Sequence, residues 1–264
     1  MSTRLLISLA LAMSCGVASA EDTARTGLST DGHTLEYDGP LTLPAIQQLE
    51  QLYQQAASKP RELLINSPGG SSRLGMLLGY LVHGWGLDVR VREQCASSCA
   101  NYVFPAGRNK FLEDGSMLLW HGGALQPDWH AIIRAKWPHD SAMQQVARDD
   151  IALWQQQEQA FYTTIGVSQL ITVCGQHEQW RKAVPQSQGF DYSPQDMARF
   201  GVSGLHLPPG GWQPHKRWSS PGFFRAAWCD TPPPPTDEIL CGCKFDPEPE
   251  ASAPAAATPS PASP

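Results

Sequence analysis

Beyond the first 20 residues the chain has no apolar run long enough to cross a bilayer, so no membrane span is expected after that point. It also has no cluster of basic residues. Its 19 lysines and arginines are scattered among 25 acidic residues, for a formal net charge of −6. That distribution offers no electrostatic footprint for nucleic acid, and no nucleic-acid partner is expected. No internal repeat is present, which excludes a solenoid or array. Cys229, Cys241 and Cys243 have no neighbouring fourth ligand, so disulfides are favoured over zinc and no metal is expected. The nine tryptophans read as core or groove lining, and no cofactor is implied.

What is present is enough for one sizeable core, since 41% of the 264 residues are hydrophobic. The N-terminus reads as a secretory signal over 1–20. Arg4 supplies the positive charge, Leu5–Met13 the apolar stretch, and Ala18-Ser19-Ala20 the cleavage site. A periplasmic or secreted location follows as the expectation. Removing the signal removes Cys15. Six cysteines then remain, an even number that points to disulfides in an exported chain, with 15 pairings open. Cys229 is expected to pair with Cys241 or Cys243. Cys95 and Cys99 could pair locally or each reach elsewhere, for instance to Cys174.

Along the chain, strands and helices alternate, which predicts parallel pairing and an α/β fold. Leu35 and Tyr37 mark a first strand. Ile46, Leu49, Leu52, Tyr53 and Ala56 recur at helical spacing behind Pro44. Leu63–Ile65 is a short apolar strand. Ser71-Ser72 can cap a helix whose apolar face is Leu74, Leu77, Leu78, Leu81 and Val82. Val89–Val91 and Met117–Trp120 are further strands. Asp128–Thr164, broken only by Pro138, predicts a long helical arm. Ser193–Gly201 reads as a short capped helix, followed by a last strand at Leu205 and Leu207. The expected layout is an α/β domain over 21–208, a Cys/Pro-rich extension over 209–243, and a disordered Pro/Ala-rich tail over 244–264.

Three stretches carry chemistry. Asn66-Ser67-Pro68-Gly69-Gly70 is a glycine loop after a strand. Cys95-Ala96-Ser97-Ser98-Cys99-Ala100-Asn101 is a turn of small residues opening a helix. Ser116–Trp120 is an apolar strand that ends in His121. A serine at a helix start sits beside unpaired backbone N–H groups that favour an oxyanion. Such a hydroxyl becomes a useful nucleophile when a neighbouring base takes its proton, and histidine suits that task near neutrality.

The ordered set of three, over roughly His33 to Leu207, resembles the Clp-type serine peptidase superfamily, and within it the exported Clp-like proteins. The resemblance implies a crotonase-like spiral of ββα units in a single domain with a helical arm. It implies Ser98 as nucleophile, with Ser97 as the fallback, and His121 as general base. The oxyanion hole would be formed by backbone N–H groups of Gly69 or Gly70 and of Cys99. Asp191, the carboxylate just before the Ser193–Gly201 helix, or a backbone carbonyl, would orient His121. Where the family carries a further acidic residue after that helix, this chain has Ser203-Gly204.

The leading expectation is an exported serine hydrolase acting on a peptide or protein substrate. The alternative is an inactive module that binds extended peptides by strand addition. A crotonase-type acyl-CoA enzyme suits the fold but not a compartment in which coenzyme A is not expected. Assembly into a homo-oligomer is left open.

Overall fold

Parallel pairing dominates the sheet, as the alternation of strands and helices requires. In the computed structural model, which describes residues 23–184, 187–214 and 223–240, strand β1 (Arg25–Leu28) lies antiparallel to β2 (Thr34–Asp38). From β2 onward the order is β3 (Glu62–Ser67), β4 (Asp88–Ala96), β5 (Lys110–Leu112) and β8 (Leu205–His206), all parallel. The protein is therefore a mixed α/β molecule on a largely parallel sheet. The expected signal segment 1–20, the tail 244–264, and Cys15, Cys241 and Cys243 lie outside the described residues.

Strand β4 positions the site, because it changes partner along its length. Its first half, Val89–Val91, pairs with β5. Its second half, Gln94–Ala96, pairs with β6 (Met117–Leu119). The ends of β4 and β6 thus emerge side by side, and these are the strands that precede Ser97 and His121. Leu35, Leu63, Ile65, Val89 and Val91 are fully buried, which a parallel sheet covered by helices demands. Each such side chain contributes roughly 1.5–3 kcal/mol on burial.

Helix α1 (Leu43–Gln55) starts where expected. Thr42 caps it by accepting the Ala45 N–H, and Pro44 occupies its first turn. Helix α2 (Ser72–Trp85) is capped by Ser71 and stopped by Gly86 in a left-handed conformation at φ 64°. After Ser98 the chain winds through a wide π-type turn, Cys99–Val103, into the short helix α3 (Phe104–Ala106). The predicted arm is two helices rather than one. Pro138 separates α4 (Trp129–Lys136) from α5 (Ser141–Ile165), whose new start is capped by Asp140. Trp129, Ile132, Ile133, Ala147 and Ile151 form a small cluster between the two helices.

The fold continues past Pro208. Trp212 is buried, and its indole N–H donates to the Ser116 carbonyl at 2.7 Å. Strand β9 (Phe223–Ala226) pairs in parallel with β7 (Gly189–Tyr192), and Trp120 bridges β7 through Phe190. Helix α6 (Glu178–Ala183) precedes β7, and α7 (Pro194–Arg199), capped by Ser193, follows it. Two disulfides are formed, Cys95–Cys99 and Cys174–Cys229. The first is the local option left open by the sequence. The second corrects the expected pairing of Cys229 with Cys241 or Cys243, because β9 returns to the core and delivers Cys229 to Cys174. No helix among the described residues is long and apolar enough to cross a membrane.

Candidate active site

At the end of β4 the backbone turns sharply through Ser97. Its φ of 56° is the one positive value at a non-glycine residue among the described residues. Such a conformation costs roughly 1–2 kcal/mol and persists only where the surroundings impose it. Three features do so here. The Ser97 N–H donates to the Leu119 carbonyl at 2.8 Å, and its own carbonyl accepts from the Asn101 N–H at 2.8 Å. The Cys95–Cys99 disulfide straps the two sides of the turn together. Behind it lies Gly69, at φ 96°, where an added Cβ would fall 2.6 Å from the Ala96 carbonyl oxygen and 2.8 Å from the Ser97 Cβ.

The two neighbouring serines have different surroundings. The Ser97 hydroxyl lies 2.7 Å from His121 Nε2, and the residue is partly open to solvent. Ser98 is 3% exposed, and its hydroxyl accepts the Gly70 N–H at 2.8 Å. The geometry therefore corrects the expected pairing of Ser98 with His121. The reason is the left-handed turn at Ser97, which aims that side chain outward at β6 and rolls Ser98 inward onto the glycine loop.

The glycine loop is present, but its N–H groups are engaged. Gly69 donates to the Ser67 hydroxyl at 3.1 Å, and Gly70 donates to Ser98. Gly70 also bridges Leu41, which fixes the loop to the sheet. Cys99 is fully buried and disulfide-bonded, so it is no thiol nucleophile. With Ser97 at the turn, the residue that follows it is Ser98, whose backbone opens the helical run.

Burial pushes the His121 imidazole below its ordinary value of 6.5, so the ring is neutral at pH 7 and able to accept a proton. In the tautomer with Nε2 unprotonated, the Ser97 hydroxyl donates to it. The His121–Ala124 loop is pinned along its backbone. Gln176 donates to the His121 carbonyl at 2.9 Å, and Asn101 to the Gly122 carbonyl at 2.9 Å. The Ala124 carbonyl accepts from both Gln155 and the Trp129 indole at 3.0 Å. The Ala124 N–H donates to Glu158 at 3.1 Å.

Glu158 is fully buried in α5, and desolvation raises its carboxyl to about 7. It also accepts from the Tyr102 hydroxyl and from Gln169, both at 2.6 Å. Sequence reading missed this residue, which sits in a glutamine-rich stretch that looks solvated. Its spacing is the available signal: Ile151, Trp154, Glu158, Phe161 and Tyr162 share one helical face.

Asp191, expected to orient His121, is fully buried on β7. Its two oxygens accept from Nε and Nη2 of Arg225, each at 3.0 Å. This two-pronged pair across β7 and β9 accounts for its burial. Arg225 lies 34 residues away, in the Cys/Pro-rich extension, where local patterning predicts no strand.

These elements define an α/β protein with a serine–histidine pair at the split end of a parallel sheet. No protein-family model matches the chain, and no curated protein matches it. Among solved structures the chain is similar to a single-residue mutant of ClpP1 from Listeria monocytogenes. Identity is 18%, 52% of this chain and 78% of that chain are covered, and the TM-score is 0.33.

Proposed function

We propose that the protein is a serine hydrolase of Clp-like type, acting on peptide bonds in an exported, oxidising compartment. The observation that carries this reading is the 2.7 Å contact between Ser97 and His121 Nε2 at a strained turn beside a glycine loop. Ser97 attacks the scissile carbonyl while His121 takes its proton, and His121 later returns that proton to the leaving amine. The oxyanion forms next to the start of the Cys99–Val103 turn, where the Ser98 N–H is the nearest donor in sequence. Gly70 joins as a second donor when a substrate oxygen replaces the Ser98 hydroxyl on its N–H. Cys99, which the family resemblance implied, takes the same role only if Ser98 is the nucleophile. Two disulfides fit the oxidising compartment.

A second reading has specific support. Asp191 is paired with Arg225, and the Gly69 and Gly70 N–H groups are both held by serine hydroxyls. A module that binds extended peptides without cleaving them accommodates these facts. A fluorophosphonate probe applied to the purified mature protein separates the two. Under the hydrolase reading the probe labels the wild type, Ser97→Ala and His121→Ala abolish labelling, and Ser98→Ala retains most of it. Failure of the wild type to label favours the binding module. Loss of labelling in Ser98→Ala with retention in Ser97→Ala returns the nucleophile to Ser98.

A further inference from the structure

A cleft of about 180 Å³ opens beside His121, lined among others by Gln176, Trp180, Arg181, Phe190 and Glu238. Two polar side chains in its wall carry buried atoms that have no hydrogen-bond partner among the described residues. They are the Nε and Nη1 atoms of Arg181 and the Oε1 of Gln176. Leaving such groups unpaired is costly, so a ligand that supplies their partners gains directly. The partners required are an anion for the guanidinium and an N–H for the amide oxygen.

The chain itself brings a carboxylate to this place. Past β9 it is tied down by Cys174–Cys229 and runs back across the cleft. The His177 ring contacts the Thr231 carbonyl at 3.0 Å, Thr236 N–H donates to Pro127, and Leu240 N–H donates to Asp128. Arg134 pairs with Asp237. This course leaves Glu238 3.6 Å from Arg181 Nη1, with its own side chain 80% exposed. That is an ion pair without a hydrogen bond, on a strap that water reaches, and it is weakly held. Two further acids act on Arg181: Asp128, whose oxygens are taken by Gln126 and by Leu240, and the exposed Glu178, which pairs with Lys182 at 2.7 Å.

We propose that this cleft is a subsite for a carboxylate of the bound peptide, read by Arg181, and that the Cys229–Leu240 strap occupies it in the free protein by presenting Glu238. The ligand is a peptide with an acidic side chain, or one ending in a free carboxylate, seated next to His121. The incoming carboxylate exchanges with Glu238 and makes the direct hydrogen bonds that Glu238 does not. Gln176 Oε1 accepts a backbone N–H of the same peptide, while Gln176 Nε2 keeps its bond to the His121 carbonyl. Subsite occupancy is thereby linked to the loop that carries the base. The proposal rests on the hydrolase reading for its substrate role, but the cleft is testable without turnover.

The test uses the full mature chain carrying Ser97→Ala and fluorescent octapeptides in three forms. One has an internal glutamate and an amidated end, one has glutamine in its place, and one is the glutamine peptide with a free terminal carboxylate. Anisotropy should show at least one carboxylate form binding about tenfold tighter than the amidated glutamine peptide, and the tighter form identifies the source of the carboxylate. Arg181→Gln should abolish that preference, and Arg181→Lys should restore part of it. Glu238→Gln, on the exposed strap, should tighten acidic peptides several-fold. Equal binding of all three peptides overturns the proposal, as does an unchanged affinity in Glu238→Gln. Probe labelling of wild-type Ser97 is read separately. Selectivity without labelling keeps the subsite and removes the hydrolase, whereas labelling without selectivity does the reverse.

Discussion

The turn that carries Ser97 and the loop that carries His121 meet across 2.7 Å, yet they are built by opposite means. The turn is local. Its conformation follows from the end of β4, a disulfide between residues four apart, and one glycine backing it. The loop is assembled from a distance, by side chains of Asn101, Gln155, Glu158 and Gln176 that reach its backbone. Backbone constraint fixes where the hydroxyl sits. Side-chain hydrogen bonds fix where the ring sits, and one of those bonds is made by a titratable group, Glu158. The two halves should therefore fail differently when disturbed.

The largest effect expected is on reactivity. Ser97→Ala should reduce probe labelling or turnover by on the order of 1,000-fold or more. Ser98→Ala removes a buried hydroxyl that satisfies the Gly70 N–H. It should cost about 1 kcal/mol of stability and leave labelling largely in place. Equal losses in both variants, measured alongside melting temperatures, would erase the distinction drawn between the two serines.

Next in size is Gly69→Ala. The added methyl meets the Ala96 carbonyl oxygen and Ser97 from a backbone at φ 96°. Left-handed strain and overpacking together should cost about 3 kcal/mol, with loss of labelling because the turn must shift. Denaturant midpoints decide the matter. A variant as stable as the wild type would mean that the turn does not depend on its glycine backing.

On the loop side the expected effect is a pH dependence. Glu158 has its carboxyl raised from 4.5 to about 7 by burial, so the folded protein prefers the protonated acid. The stability this confers is fully present below 4.5 and is lost as pH rises through about 7. The difference corresponds to about 3 kcal/mol. Glu158→Gln cannot titrate. The wild type should lose stability relative to that variant between about pH 4 and pH 8, by up to the same amount. Parallel stability curves in urea would remove Glu158 from the titrating groups that hold the loop.

The contrast also explains what could be read in advance. Caps at Ser71 and Ser193, Pro44 in a first helical turn, the glycine loop and the alternation of strands and helices are local signals, and the structure follows them. The choice between Ser97 and Ser98 is not local, because both lie among small residues and only φ separates them. Asp191 was visible as a carboxylate near the right place, but its partner Arg225 lies on a strand that pairs 34 residues away. Glu158 was hidden by its polar neighbours, although its helical face was apolar. The strap, with Glu238 beside Arg181, depends on a disulfide whose partner no spacing rule could name.

The smallest effect tests the pair itself. Burial holds the His121 imidazole below 6.5, so the charged ring is disfavoured in the folded protein. Two consequences share one sign. The contribution of His121 to stability is present above 6.5 and is lost as pH falls through its lower folded value. The labelling rate of Ser97, which needs the neutral ring, should rise along an acid limb with its midpoint below 6.5 and then stay flat toward neutrality. Gln176→Ala removes the bond to the His121 carbonyl without touching the ring. If the loop then opens to water, desolvation eases and the midpoint moves back toward 6.5, with a modest loss of rate. A wild-type midpoint at or above 6.5 would contradict the burial that makes His121 a base here. A Gln176→Ala profile that overlays the wild type would show that the loop holds its place by its remaining bonds to Asn101, Gln155 and Glu158.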